Sequence, residues 1–156
     1  MKTITSLLLA VALLSSAALA DDAKEDHHLH EGLTEHQLGT VHFPVSCAES
    51  VQKPFQRGVA LLHSFWYEEA EKEFMGIANN DPTCAMAHWG VAMSLWHQLW
   101  NQPDAKVVAR GLSEAKAAEN LKKKVTPREG AYIAAVKGFY GGSKKRAFNE
   151  RAKRYS

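Results

Sequence analysis

Histidine is the residue type in this sequence that is best suited to bind a metal ion. Four of the eight histidines lie close together near the N-terminus, at His27, His28, His30 and His36. Imidazole is a preferred ligand of zinc, copper and nickel, and the His28-x-His30 pair could chelate one of these ions. The alternative interpretation is a polar tail whose histidines bind no particular ion.

A second group of histidines lies among aromatic residues in the middle of the chain. Its members are His63, His88 and His97, and the aromatic residues near them in sequence are Phe65, Trp66, Tyr67, Trp89, Trp96 and Trp100. One interpretation is a binding pocket with imidazole donors and stacking surfaces. The other is a packed core in which indole and imidazole groups hydrogen-bond to each other and to the backbone. We favour the core for Trp89 and Trp96.

Catalytic motifs are missing from the sequence. It contains no glycine-rich phosphate loop, no H-E-x-x-H and no G-x-S-x-G. Ser64 follows His63 directly, but adjacent side chains on a helix point in different directions, so the two do not form part of a triad. The glutamates between residues 68 and 73 are typical of a solvated helix face. We therefore predict a binding protein and not an enzyme.

The two cysteines, Cys47 and Cys84, are candidates for a disulfide bond. Pairing is the common fate of cysteines in an exported chain, and such a bond would contribute about 4 kcal/mol in the chain-entropy treatment. No C-x-x-C sequence is present, which argues against a thioredoxin-type centre and against covalently attached haem.

The first 20 residues are typical of a signal peptide. Lys2 precedes an apolar run from Ile4 to Leu14, and the small-x-small sequence 18–20 suits signal peptidase. We therefore predict a mature chain from Asp21, exported to the periplasm or secreted. No later stretch is apolar for long enough to span a membrane. The net charge of only +2 argues against nucleic acid as a partner.

The elements that position these residues are predicted to be helices. Residues 21–40 are acidic, rich in histidine and without hydrophobic period, so we predict a disordered leader, followed by an extended piece at 41–45. Hydrophobic periodicity and capping signals then predict six helices joined by short turns. They begin near Lys53, Tyr67, Thr83, Asp104, Thr126 and Phe148. The second is expected to end at Asn79 and the third at Leu99.

The segment from Val51 to Pro82 resembles a tetratricopeptide repeat, a helix-turn-helix unit of 34 residues. The residues that match its small, aromatic and proline positions are Gly58, Tyr67, Ala70, Phe74 and Pro82. The units that follow are less regular. The stretches 38–43, 63–67 and 96–100 are also similar to a group of exported bacterial tetratricopeptide-like proteins. The resemblance implies an all-α stack of about three antiparallel hairpins, an α-solenoid fragment.

What the resemblance implies about function is a scaffold that holds a protein or peptide in a groove. The repeat geometry places Phe55, Val59, Leu62 and His63 on the groove side. The alternative hypothesis is an exported protein that binds or delivers zinc, copper or nickel through His28, His30, His63, His88 and His97. The last helix reaches Ser156 without an ending signal, which predicts that the repeat domain 41–156 is incomplete at its C-terminus.

Overall fold

A computed structural model describes residues 35–97, 102–143 and 145–155 of the chain. The predicted signal peptide and most of the predicted leader, including His27, His28 and His30, lie outside the described residues. The side chain of His36 lies outside them as well. The metal site proposed for the leader therefore stays a prediction.

The described residues form seven α-helices and two short 3-10 helices, with no β-strand among them. The α-helices are α1 Glu35–Leu38, α2 Gln52–His63, α3 Tyr67–Asn80, α4 Ala85–Ser94, α5 Ala105–Leu121, α6 Pro127–Tyr140 and α7 Phe148–Tyr155. The 3-10 helices are Glu49–Val51, which leads into α2, and Lys122–Lys124, which follows α5.

The long helices form a stack of hairpins. From α2 to α7 each helix packs against the one that follows it, and α4 also packs against α2 and α6. The pairs α2–α3, α4–α5 and α6–α7 are therefore three consecutive hairpins, and their first helices lie side by side. The predicted all-α hairpin stack is confirmed.

Capping signals in the sequence determine where two of the helices begin. Thr126 accepts a hydrogen bond from the Glu129 amide, while the Glu129 carboxylate accepts one from the Thr126 amide at 2.7 Å. Pro127 occupies the first turn of α6, so the capping box that we predicted is present. At the start of α5, the Asp104 side chain accepts a hydrogen bond from the Val107 amide at 2.8 Å.

Glycine–aromatic contacts set the spacing between neighbouring helices. A Cβ atom on Gly58 of α2 would lie 2.8 Å from the Phe74 ring, and one on Gly90 of α4 would lie 2.3 Å from it. The ring of Phe74 is therefore held between two successive hairpins, in the role that the repeat resemblance implies. Tyr140 lies against Gly111 of α5 in the same manner, and its hydroxyl donates to the carbonyl of Ala92 at 2.7 Å.

The structure differs from the sequence-based expectation at two places. The third long helix, α4, ends at Ser94 and not at Leu99. Just after this point the Trp96 ring stacks on Phe139 of α6, with ring centroids 3.8 Å apart. At this position the tertiary contact determines the chain's course, although the hydrophobic period would continue the helix. At the other end, the last part of the predicted leader forms the short helix α1, and Leu38 packs against the core.

Candidate binding groove

The first helices of the three hairpins, α2, α4 and α6, present one shared face. A stretch of chain without helix, residues 43–48, crosses this face and bends at Ser46 and Cys47, and we call it the bound segment. Phe43 packs with its ring centroid 5.7 Å from Phe55 of α2, 5.9 Å from Trp89 of α4 and 5.5 Å from Tyr132 of α6. One aromatic side chain of the bound segment thus contacts all three helices.

Side chains from two of these helices bind the backbone of the bound segment. The Gln52 amide group accepts a hydrogen bond from the Val45 amide at 3.3 Å and donates to the Val45 carbonyl at 2.9 Å. It also donates to the carbonyl of Cys47 at 3.1 Å. Arg128 donates to the Pro44 carbonyl and places its guanidinium over the Phe43 ring. These contacts hold the backbone of the segment, while the side chains of Phe43, Val45 and Cys47 pack against the core.

Two buried carboxylates hold the second half of the bound segment. Glu129, fully buried, accepts hydrogen bonds from the Ser46 amide at 2.6 Å and the Ser46 hydroxyl at 2.7 Å. Burial by itself raises the pKa of Glu129, but the hydrogen bonds from Ser46 and Thr126 outweigh it, so the pKa is lowered. The hydrogen bond from the Ala48 amide, at 2.8 Å, is the main reason why the pKa of Asp81 is lowered.

A disulfide bond joins the bound segment to the start of α4. Cys47 is bonded to Cys84, the residue that precedes α4, with their Cα atoms 4.9 Å apart. The predicted pairing is confirmed. The carboxylate of Asp81 lies beside the two sulfurs, and the three possible ligand atoms are within 4.8 Å of one another. The two sulfurs are bonded to each other and not to an ion.

Beyond Phe43, the same face opens into a cavity of about 360 Å³. Its lining, which defines the aromatic cavity, is Phe43, Leu62, His63, Phe65, Tyr67, Trp89, Met93, Tyr132 and Tyr155. Six of these nine residues are aromatic, and none carries a carboxylate, a guanidinium or an ammonium group. The cavity is therefore suited to an apolar or aromatic group.

Phe65, at the rim of the aromatic cavity, has an unusual backbone conformation. Its φ is 64°, and it is the only residue other than glycine with a positive φ among the described residues. Phe65 donates its amide to Leu62, and Trp66 donates to Leu61, so the end of α2 is a Schellman motif. Glycine normally occupies this position, because a side chain there costs about 1 kcal/mol. Here it is a phenylalanine with 49% of its surface exposed.

The four residues predicted for the groove are divided by the structure. Leu62 and the exposed His63 line the aromatic cavity. Contact of Phe55 and Val59 with a partner stays a prediction, but both are buried in this structure, with only 0% and 2% of their surface exposed. In the case of Phe55 the physical reason is that Phe43 of the bound segment covers it. The repeat pattern places these residues on α2, but it does not show this covering segment.

The three helical histidines do not come together as a metal site. His88 is paired with Glu114 at 2.8 Å, and His97 stacks on Tyr67 with ring centroids 4.5 Å apart. His63 lies within hydrogen-bond distance of the Val59 carbonyl. Among the described residues, the one cluster of three or more possible histidine, cysteine or carboxylate ligands is the Cys47 group described above. His63, His88 and His97 are therefore not brought together in this structure, and the metal-binding alternative stays a prediction.

The tryptophans follow the core interpretation in their position but not in their hydrogen bonding. Trp89 and Trp96 are 3% and 5% exposed. Within the described part of the chain their indole N–H groups have no acceptor, so the expected hydrogen bonds to imidazole and backbone are not seen there. Both are held by ring contacts, Trp89 with Phe43 and Trp96 with Phe139.

Several residues of this face escape prediction from the sequence. Gln52 and Arg128 resemble ordinary surface residues of helix termini, and Glu129 is recognisable only as a capping residue. The sequence gives one indication of Phe65, because the helix that it follows ends without glycine or asparagine.

Compared with models of known protein families, with curated proteins and with solved structures, the chain matches none of them. No helix in the described part of the chain is long and apolar enough to cross a membrane. The function of the face has to be inferred from its geometry.

Proposed function

We propose that this chain is an exported, tetratricopeptide-like scaffold that binds a protein or peptide partner, and that it is not an enzyme. The aromatic cavity is the place where an apolar side chain of the partner binds. The first helices of all three hairpins contribute to this face, as expected of a scaffold whose groove runs along a stack. The Cys47–Cys84 bond supports an oxidising compartment, because such bonds persist mainly outside the cytosol.

The observation that carries this proposal is the conformation of Phe65. A bulky side chain occupies a position that favours glycine, and it remains half exposed at the rim of the aromatic cavity. Backbone strain of this kind persists where the surrounding structure holds the residue in place, and strained residues cluster at sites that bind ligands. An exposed phenylalanine would gain the burial that it lacks if a partner covered it.

A cavity-blocking substitution tests the proposal. His63 is exposed at the rim, so His63→Trp fills the entrance without disturbing the core. We expect His63→Trp to abolish co-purification of the partner from the native compartment and to leave the helical circular dichroism unchanged. The matched control is Glu68→Trp, at an exposed position of α3 outside the cavity lining. Equal capture by the two variants would contradict the proposal.

A further inference from the structure

The bound segment is held in the way that a receptor holds a peptide. Hydrogen bonds from side chains reach the carbonyls of Pro44, Val45 and Cys47 and the amides of Val45, Ser46 and Ala48. The groups that bind it belong to helices and to the turn before α4, and they are distant in sequence except for Gln52. Recognition of an extended backbone by side chains does not depend on covalent continuity with it.

The contacts also define which peptide sequence this arrangement accepts. An aromatic residue fills the space between Phe55, Trp89 and Tyr132, where Phe43 lies now. The next two positions are bound through their backbone, and the Val45 side chain also packs against the core. The position after them carries a hydroxyl that donates to Glu129, as Ser46 does. The pattern is an aromatic-x-x-Ser segment whose chain bends at the serine.

We infer that Gln52, Arg128 and Glu129, together with the ring pocket that holds Phe43, form a peptide clamp for an aromatic-x-x-Ser segment of the partner. Residues 43–48 occupy this clamp in the resting chain, and the Cys47–Cys84 bond keeps them there. The inference rests on the proposed function, since the clamp adjoins the aromatic cavity through Phe43. A partner that reaches both sites replaces the bound segment once the disulfide is opened.

The disulfide controls this exchange because it adds a second tether to the bound segment. A tethered group competes at an effective concentration of roughly millimolar or more, so a free peptide at micromolar concentration does not displace it. A dithiol reductant opens the bond by thiol–disulfide exchange. Cys47 and Cys84 then become two thiols, and the two thiols of the reductant become a disulfide. A partner that binds both the cavity and the clamp then competes with a bound segment that is held only by its chain connection to α2.

The probe for the test is a labelled synthetic peptide with the sequence of residues 41–48, in which alanine replaces Cys47. The receptor is the mature chain with Phe43→Ala and Cys47→Ser. These substitutions weaken the attachment of the chain's own bound segment. We expect the receptor to bind one peptide per chain, and the oxidised wild-type chain to bind at least tenfold more weakly. Adding Gln52→Leu to the receptor, or replacing the phenylalanine of the peptide by alanine, should each reduce affinity at least tenfold.

Three outcomes would overturn the inference. They are a folded receptor that does not bind the peptide, equal binding of the alanine-substituted peptide, and a disulfide-free chain that forms only dimers by exchanging its own segment. If the double variant does not fold, the mature chain with Phe43→Ala alone, reduced with dithiothreitol, replaces it. A receptor that also carries His63→Trp separates the two proposals, since clamp binding should survive a blocked cavity.

Discussion

At the scale of single residues, glycine–aromatic contacts decide how closely the hairpins approach. The Phe74 ring is confined on one side by Gly58 and on the other by Gly90. If either glycine gains a side chain, the Phe74 ring cannot move away from it without meeting the other helix. Phe74 itself could be assigned its role from the repeat pattern. Gly90 could not, because it lies two positions from where the pattern places a small residue.

We predict that Gly90→Ala lowers the free energy of unfolding by about 1 to 3 kcal/mol, since its Cβ would overlap the Phe74 ring. The matched control is Gly76→Ala in α3, where a Cβ would meet no atom within 4 Å. This control should raise stability by about 0.5 to 1 kcal/mol through helix propensity. Urea denaturation measures both. Two variants with the same sign of change would refute the packing account.

Phe65 leads to a second prediction at this scale. Phe65→Gly relieves the left-handed strain, so we expect stability to stay constant or to rise by up to about 1 kcal/mol. The matched control is Met75→Gly, at a similarly exposed position inside helix α3, which should cost about 1 kcal/mol. Partner capture should fall in Phe65→Gly alone. An equal loss of stability in the two variants would mean that Phe65 is not strained.

At the scale of the elements, the bound segment depends on ionised carboxylates. The pKa values of Glu129 and Asp81 are lowered in the folded chain, so both groups bind protons less readily there than after unfolding. Their contribution to stability is therefore complete above the ordinary carboxyl pKa of about 4, and it is lost as the pH falls through the folded values. Acid should weaken the attachment of this segment.

We expect the thermal unfolding midpoint to be nearly constant from pH 7 to pH 5 and to fall below pH 4. Glu129→Gln should lower stability at pH 7 by about 2 kcal/mol, since it removes charge-assisted hydrogen bonds. In this variant the unfolding midpoint should also fall less steeply below pH 4. Glu68→Gln, at an exposed residue of α3, is the control and should leave the profile unchanged. If the unfolding midpoint fell equally steeply below pH 4 in the wild type and both variants, the Glu129 carboxylate would not contribute to the acid sensitivity.

The elements were predictable from local sequence to the extent that local forces determine them. The capping box of Thr126 and the hairpin of α2 and α3 follow from short-range patterns. The early end of α4 does not, because it coincides with a ring contact between Trp96 and Phe139, which are far apart in sequence. The covering of Phe55 by Phe43 is likewise a long-range contact, and it explains why Phe55 presents no surface in the predicted groove.

At the scale of the whole molecule, the face formed by α2, α4 and α6 has two neighbouring parts, one of them filled and the other open. The clamp part is filled by the chain's own segment and is closed by a disulfide. The aromatic cavity is open, and a half-exposed phenylalanine lies at its rim. This difference is the basis for the two proposals, that the cavity binds the partner and that the clamp regulates binding.

The most direct test of the account places a photo-crosslinking phenylalanine analogue at position 65 and, separately, at position 75, in the native compartment. Phe65 and Met75 are 49% and 45% exposed, so their general accessibility is matched. We predict a discrete crosslinked partner from position 65, none from position 75, and loss of the crosslink when His63→Trp is added. A crosslink of equal yield from both positions, or one that persists with the cavity blocked, would contradict partner binding at the aromatic cavity.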